Sequence, residues 1–197
     1  MNKIVLILVT IATLSSCSDS DPFPYKYQNE QQVINCSNSD SKIMNEALYA
    51  FREDISRYFL KEIQKKDYLN FLYSYQQYIY RGAKGNLFYN EIVSDHTIKV
   101  YNELLKQDNL FIKTKGKSNL NYKNEFVQCL INNIQNTEMK NKIIDLINVD
   151  YLSPDVMAEN YRITTEDANT DPNFLMFIAL DTYYQRLLDL DIPNTNP

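Results

Sequence analysis

The stretch that decides the fold is 171-DPNFLMFIALDTYYQRLL-188. Residues 174–180 are apolar on nearly every side, a pattern typical of a helix at the centre of a helical core. Asp171 followed by Pro172 is a helix-start signal, because aspartate caps free backbone amides and proline is tolerated at the first helical position. The helix turns amphipathic near Tyr183. The sequence therefore predicts a buried helix close to the C-terminus.

Helical periodicity also recurs in the chain before this stretch. Asp40 and Ser41 precede apolar residues at three- and four-residue spacing, which predict a helix to about residue 63. Ser153-Pro154-Asp155 is a second start signal of the same kind as Asp171-Pro172. Further helices are predicted over 68–80, 94–107, 126–134 and 139–147. Residues 110–121 form either a loop or a short hairpin.

The composition supports one folded domain. The chain has 197 residues, of which 44% are hydrophobic and 13% aromatic, enough apolar material for one core. The predicted fold class is all-α, a single-domain irregular bundle of about six to seven helices over residues 39–192, followed by a tail at 193–197. The formal net charge of -5 disfavours nucleic acid as a partner, since nucleic-acid affinity comes mainly from cations that meet phosphates.

The N-terminus carries the features of a targeting signal. Lys3 precedes an apolar run at residues 4–14, which is too short for a bilayer span of about 20 residues and has the length of a signal-peptide core. The run ends at Leu14-Ser15-Ser16-Cys17, which resembles the lipobox of bacterial lipoproteins. The alternative is an ordinary signal peptide that is cleaved elsewhere, with Cys17 incidental.

The resemblance implies that residues 1–16 are removed and that Cys17 becomes the acylated N-terminus. Two or three acyl chains hold far more firmly than one, so the mature protein is expected to be anchored to the membrane. Residues 18–21 (SDSD) resemble the acidic signals that direct some Gram-negative lipoproteins to the outer membrane or cell surface; a plain solvated tether is the alternative. Residues 17–38 are expected to form a flexible tether with a span of roughly 25 Å.

Two further cysteines, Cys36 and Cys129, remain once Cys17 is acylated. In an oxidising compartment this even pair allows a disulfide between the segment before the first helix and the helix that starts near residue 126. Two unpaired thiols are the alternative. The spacing lacks a CxxC motif, so a redox role is not expected.

The tyrosine-rich segment at 68–80 offers a candidate binding surface. On a helical wheel, three polar residues form a strip and two tyrosines lie in a second stripe: Asn70, Ser74 and Gln77, with Tyr73 and Tyr80. Amphipathic tyrosines present flat area and a hydroxyl, which suits sugar or peptide. The alternative is a helix that packs against two neighbours.

No residue pattern indicates a catalytic or metal site. His96, the sole histidine, is predicted to be exposed, and one histidine cannot build a histidine cluster. Asp167, Asn169 and Asp171 match half of a calcium loop, but Pro172 and Ile178 stand where the motif requires glycine and glutamate. Three lysines near Gly116 lack phosphate-loop spacing and predict a solvated basic loop: Lys113, Lys115 and Lys117. We therefore expect no cofactor and no metal.

These observations predict a lipid-anchored protein of the cell envelope, in the outer membrane, that acts by binding. The first hypothesis is an accessory or adaptor module that docks another envelope protein. An inhibitor or immunity protein whose acidic surface attracts a basic toxin or wall-degrading enzyme is the second. A carbohydrate-binding or hydrolytic subunit is the third. An exposed apolar groove would favour the first hypothesis.

Overall fold

The computed structural model describes residues 23–36, 40–61, 68–114 and 117–190. The predicted signal peptide, Cys17 and the tail at 193–197 lie outside these ranges. The helices are α1 (Ser41–Phe59), α2 (Tyr68–Gly82), α3 (Tyr89–Ile92), α4 (Asp95–Leu104), α5 (Glu125–Asn132), α6 (Thr137–Asn148), α7 (Pro154–Ile163), α8 (Thr165–Thr170), α9 (Pro172–Ile178) and α10 (Gln185–Leu187). Strands β1 (Phe111–Thr114) and β2 (Lys117–Leu120) form an antiparallel hairpin. All other elements in the described ranges are helices, so the all-α prediction is confirmed.

The apolar stretch at residues 174–180 lies in the middle of the molecule, as predicted. A π-helical segment, Ala179–Tyr184, joins α9 to α10 without a break, because the residues at both junctions keep helical backbone angles. We call residues 172–187 the central helix. Its side chains from 174 to 185 are all buried. This one helix supplies the surface on which the other elements pack.

The helix starts follow the predicted capping chemistry. The side chains of Asp40, Ser94, Ser153 and Asp171 each accept a hydrogen bond from a backbone amide in the first turn of the helix that follows. Proline occupies the first turn of α7 and of α9, where its missing amide hydrogen leaves no bond unmade. These helices therefore begin where the local sequence predicts.

Helix α1 packs against both α2 and α4, and α5 and α8 pack against α9. With the central helix counted as one, the described residues hold nine helices, more than the six to seven predicted. The additional ones are α3 and α8, with 4 and 6 residues, which are too short to show apolar periodicity. Of the two alternatives for 110–121, the structure has the hairpin.

The prediction of a flexible tether over 17–38 is wrong for residues 23–36, which pack along α1. We call residues 23–36 the strap. Exposure alternates along its first part, with Phe23, Tyr25 and Tyr27 turned inward, and Ile34 is fully buried. Several backbone groups of the strap bond to side chains of α1, which local sequence patterns do not reveal.

Two α1 side chains hold the strap. Asn45 accepts from the amides of Val33 and Ile34 at 2.8 and 3.0 Å and donates to the Ile34 carbonyl at 3.0 Å. Glu46, only 2% exposed, accepts from the amides of Lys26 and Tyr27. Because these buried side chains and strap backbone groups satisfy one another's hydrogen bonds, the strap is an integral part of the folded domain.

A disulfide closes the far end of the strap. Cys36 and Cys129 are bonded, which joins the strap to α5 across 93 residues of sequence. Of the two alternatives for this pair, the structure therefore has the bridge. None of the helices in the described ranges combines the length and apolar composition needed to cross a bilayer.

Candidate functional site

The candidate site is a cleft of about 700 Å³ between the hairpin and the loop that joins α6 to α7. One wall comes from the end of the hairpin and the residues that follow it, up to Lys123. The other wall comes from Ile147, Asp150 and residues 152–154, and Gln185 of the central helix also contributes. This volume falls in the range of ligand pockets, about 300–1,000 Å³. We call it the hairpin cleft.

The hairpin register decides which side chains line one wall. Phe111 pairs with Leu120 and Ile112 with Asn119, and successive side chains of a strand point to opposite faces. Leu120 is buried in the core, whereas Ile112 is 40% exposed. The core-facing pair thus anchors the hairpin and leaves Ile112 at the cleft.

The central helix also holds the hairpin in place. The Gln185 side-chain oxygen accepts a hydrogen bond from the Leu120 amide at 2.6 Å. That amide lies at the end of β2, where a strand edge would otherwise remain unpaired. Gln185 is 7% exposed, so this contact is shielded from water. The hairpin wall is therefore fixed to the helix core.

A buried carboxylate lies behind the cleft. Tyr122 lines the cleft and donates its hydroxyl to Asp181 at 2.5 Å, and Tyr161 donates to the other oxygen of the same carboxylate at 2.8 Å. Burial raises the pKa of Asp181 to about 6, although these hydrogen bonds favour the ionised form. Burial and the neighbouring Asp181 raise the pKa of Tyr122 far above its ordinary value. The pair fixes the ring of Tyr122 in the cleft wall.

Apolar side chains are exposed around the cleft. Ile112 lies on the hairpin side, while Val149 and Tyr151, which are 69% and 64% exposed, flank the cleft residue Asp150 on the other side. Asp150 has φ of 50°, a left-handed conformation that few non-glycine residues adopt. Lys123 supplies a positive charge at the cleft. The arrangement suits binding of a partly apolar ligand.

The tyrosine-rich helix is mainly a core element. The prediction that Ser74 lies on an exposed strip is wrong, because Ser74 is fully buried on the same side as Tyr75 and Tyr78. Gln77 is half-buried. The side chain of Asn70 lies outside the described residues. Of the predicted surface set, Tyr73 and Tyr80 are exposed, at 43% and 71%.

The prediction that His96 is exposed is also wrong. The strap covers it: the Phe23 and Tyr27 rings lie with their centroids 6.1 and 5.7 Å from the imidazole. His96 Nε2 lies 2.7 Å from Oε1 of Glu46, the carboxylate that holds the strap amides. The histidine therefore belongs to the contact between strap and domain.

The half calcium loop is a helical segment in the structure. Asp167 and Asn169 lie in α8, and Asp171 caps α9, as expected. Asp167 accepts a hydrogen bond from Asn136, and Asp171 accepts one from the Gln135 amide. In the described part of the chain, no group of three or more His, Cys, Asp or Glu side chains could hold a metal ion. Lys113 is exposed on β1, and residues 115–116 lie outside the described ranges.

Sequence reasoning missed the hairpin cleft. Its walls come from residues 112, 119–123, 147, 150, 152–154 and 185, which are far apart in the chain. The one local signal was Val149 and Tyr151, two large apolar residues just before a helix start. Comparison of the chain with protein-family models, curated proteins and solved structures found no match.

Proposed function

We propose that this protein is a lipid-anchored adaptor of the bacterial cell envelope and that its hairpin cleft binds a segment of a second envelope protein. The observation that carries the proposal is the apolar rim of the cleft. Ile112 lines the cleft and is exposed, and Val149 and Tyr151, the chain neighbours of the cleft residue Asp150, are exposed as well. Exposed apolar residues grouped around a concavity are typical of protein interaction sites.

A protein segment suits the cleft better than a sugar. Sugar sites present polar groups that converge on hydroxyls, but two of the polar side chains here are already engaged: Gln185 accepts from Leu120, and Tyr122 donates to Asp181. The accessible surface of the lining is mainly apolar, from residues such as Ile112, Ile147 and Leu152. The occupant we propose inserts an apolar side chain between the two walls, while Lys123 and Asp150 meet its polar backbone.

The membrane anchor in this proposal is the lipid on Cys17, which follows the predicted signal peptide. Acylation of Cys17 places the domain at a membrane of the envelope, and the acidic residues 18–21 favour the outer membrane. Anchoring restricts the search for a membrane-bound partner to two dimensions. A weak cleft contact is then sufficient for association, because the effective concentration of the two proteins is raised.

Photo-crosslinking in host cells tests the proposal. A benzophenone amino acid replaces Tyr151 at the rim in one strain and Tyr80 on α2 in another; the two tyrosines are similarly exposed. We expect one reproducible protein adduct from position 151 and none from position 80. An adduct from position 80 alone would move the site to α2, and no adduct from either position would refute the adaptor function.

A second pair of variants links the adduct to the cleft. Ile112→Ser removes an apolar side chain that is 40% exposed on the hairpin wall, and Ile163→Ser removes one that is 63% exposed on α7. We expect Ile112→Ser to reduce the Tyr151 adduct severalfold and Ile163→Ser to leave it unchanged. The identity of the captured protein distinguishes an adaptor from an inhibitor, because an inhibitor would capture a toxin or a wall-degrading enzyme.

A further inference from the structure

We infer that the end of the domain where the strap begins is its membrane-facing surface and that this surface meets lipid headgroups without inserting into the acyl layer. The inference rests on the proposed acylation of Cys17. It concerns a different part of the molecule from the hairpin cleft. Phe23, Lys26 and the first turn of α4, around Asp95 and His96, make up this surface.

The first step is the number of residues from the proposed anchor to the strap. Phe23, the first described residue of the strap, is only six positions after Cys17 in the sequence. A fully extended chain covers at most about 3.5 Å per residue, so Phe23 lies within about 21 Å of the anchored residue. A tether that ran freely from 17 to 38 would have allowed more than three times this reach.

The second step is the firmness of the strap. Phe23 packs against Tyr25 with ring centroids 4.8 Å apart and lies beside His96. Lys26 pairs with Glu53, to which Tyr27 also donates its hydroxyl at 2.7 Å. Burial raises the pKa of the Glu53 carboxyl, but these hydrogen bonds outweigh burial and lower the pKa below its ordinary value. The anchor therefore acts on a fixed point of the domain.

The third step is the chemistry of this surface. None of the exposed large apolar side chains in the described residues lies on the strap or in the first turn of α4. The exposed residues there are polar or small: Pro24, Lys26 and Asp95. The aromatic ring in this surface, Phe23, is half-buried against Tyr25 and beside His96, so no fully exposed apolar group is available to insert among acyl chains. It fits the hydrated headgroup layer.

This geometry separates the two surfaces of the protein. His96 lies in the first turn of α4, and the hairpin that forms the cleft wall follows the C-terminal end of the same helix. From His96 to Leu104 the helix rises by about 12 Å, at 1.5 Å per residue. The strap contact at His96 and the hairpin therefore adjoin opposite ends of α4.

Energy transfer to labelled lipid tests the inference. The acylated full chain carries a fluorescent amino acid at position 95 or, as the control, at position 150 on the cleft rim, and is reconstituted into phosphatidylcholine vesicles with acceptor-labelled headgroups. We expect markedly stronger transfer from position 95. Insertion of about twenty Gly and Ser residues between positions 21 and 22 is expected to reduce that transfer and to narrow the difference. Equal transfer from the two positions, or stronger transfer from position 150, would overturn the inference.

Failure of the anchor is distinguishable from failure of this geometry. Mass spectrometry of the N-terminal peptide from host cells shows whether Cys17 is acylated; an unmodified Cys17 refutes both the anchor and the native membrane contact. The geometry itself is measured independently by coupling Cys17 of the 17–197 chain to a maleimide headgroup lipid. The same order of transfer, stronger from position 95 than from 150, is expected there.

Discussion

The Asp54 carboxylate on α1 accepts a hydrogen bond at 2.8 Å from the hydroxyl of Tyr183 on the central helix, 129 residues away. The same carboxylate oxygen accepts from the Thr97 hydroxyl at 2.6 Å and from the Ser94 amide at 3.1 Å. Arg57 pairs with the other oxygen. Asp54 is fully buried, so one side chain connects α1, the start of α4 and the central helix.

Removal of this carboxylate is expected to destabilise the fold strongly. Asp54→Ala leaves the Tyr183 and Thr97 hydroxyls and the Ser94 amide without their acceptor, and we expect a loss of about 3–5 kcal/mol. Tyr183→Phe removes one bond to a charged group and is expected to cost about 1.5–3 kcal/mol. Urea unfolding followed by circular dichroism measures both. If Asp54→Ala lowers the free energy of unfolding by no more than Tyr183→Phe does, Asp54 does not connect the three elements as proposed.

The disulfide is expected to contribute strongly to stability because it closes a long loop. For the 93-residue separation between Cys36 and Cys129, loop-closure entropy predicts about 4–5 kcal/mol. The double variant Cys36→Ser with Cys129→Ser should lower the free energy of unfolding by about this amount. Wild-type protein in dithiothreitol is the control and should match the variant. Equal stability of the oxidised wild type and the variant would show that the bridge does not stabilise.

Asn45 is expected to control the opening of the strap. Asn45→Ala leaves the buried Ile34 amide and carbonyl without partners, which costs about 1–3 kcal/mol for an unsatisfied group. Hydrogen exchange at the Val33 and Ile34 amides should accelerate at least tenfold. Tyr49→Phe, which removes the bond from the Tyr49 hydroxyl to the Gln31 carbonyl at an exposed position, is the matched control with little expected effect. Unchanged exchange in Asn45→Ala would refute the role of Asn45.

The buried carboxyl of Asp181 is expected to make stability fall as the pH rises. Burial raises its pKa to about 6 from an ordinary value of 3.8, so the folded state binds this proton more tightly than the unfolded state. The contribution is complete below about pH 4 and is lost as the pH rises through about 6. The difference between the two pKa values corresponds to about 3 kcal/mol.

Urea unfolding of the wild type and of Asp181→Asn between about pH 4 and pH 7 isolates this group. The asparagine does not titrate, so the wild type should lose stability relative to the variant over this interval. Parallel stability curves for the two proteins would mean that Asp181 keeps the same pKa in the folded and unfolded states.

Much of the helical framework was predictable because its signals are local. Ser153 and Asp171 cap the helices they were expected to cap, and the apolar run at 174–180 is buried. Capping needs only a side-chain oxygen a few residues from a free amide. Such a signal is complete within one turn of chain.

The strap and the buried polar groups were not predictable in the same way. Glu46 is a charged residue that helical periodicity does not place in a core, yet it is buried, binds the strap amides and lies 2.7 Å from His96, fifty residues away. Helical periodicity alone does not show whether a given carboxylate is buried or exposed. Only the partner distinguishes the two cases, and the partner comes from a distant part of the chain.

The sequence by itself determined where the principal helices begin, that one of them is apolar on all sides, and which two cysteines were available to pair. Tertiary structure alone decided that Cys36 and Cys129 meet, that Ser74 and Asp181 are buried, and that Ile112 faces a cleft beside Asp150. The reason is the sequence distance over which each interaction acts. Helix propensity and capping act within a few residues, whereas burial and clefts arise only when segments distant in the chain pack together.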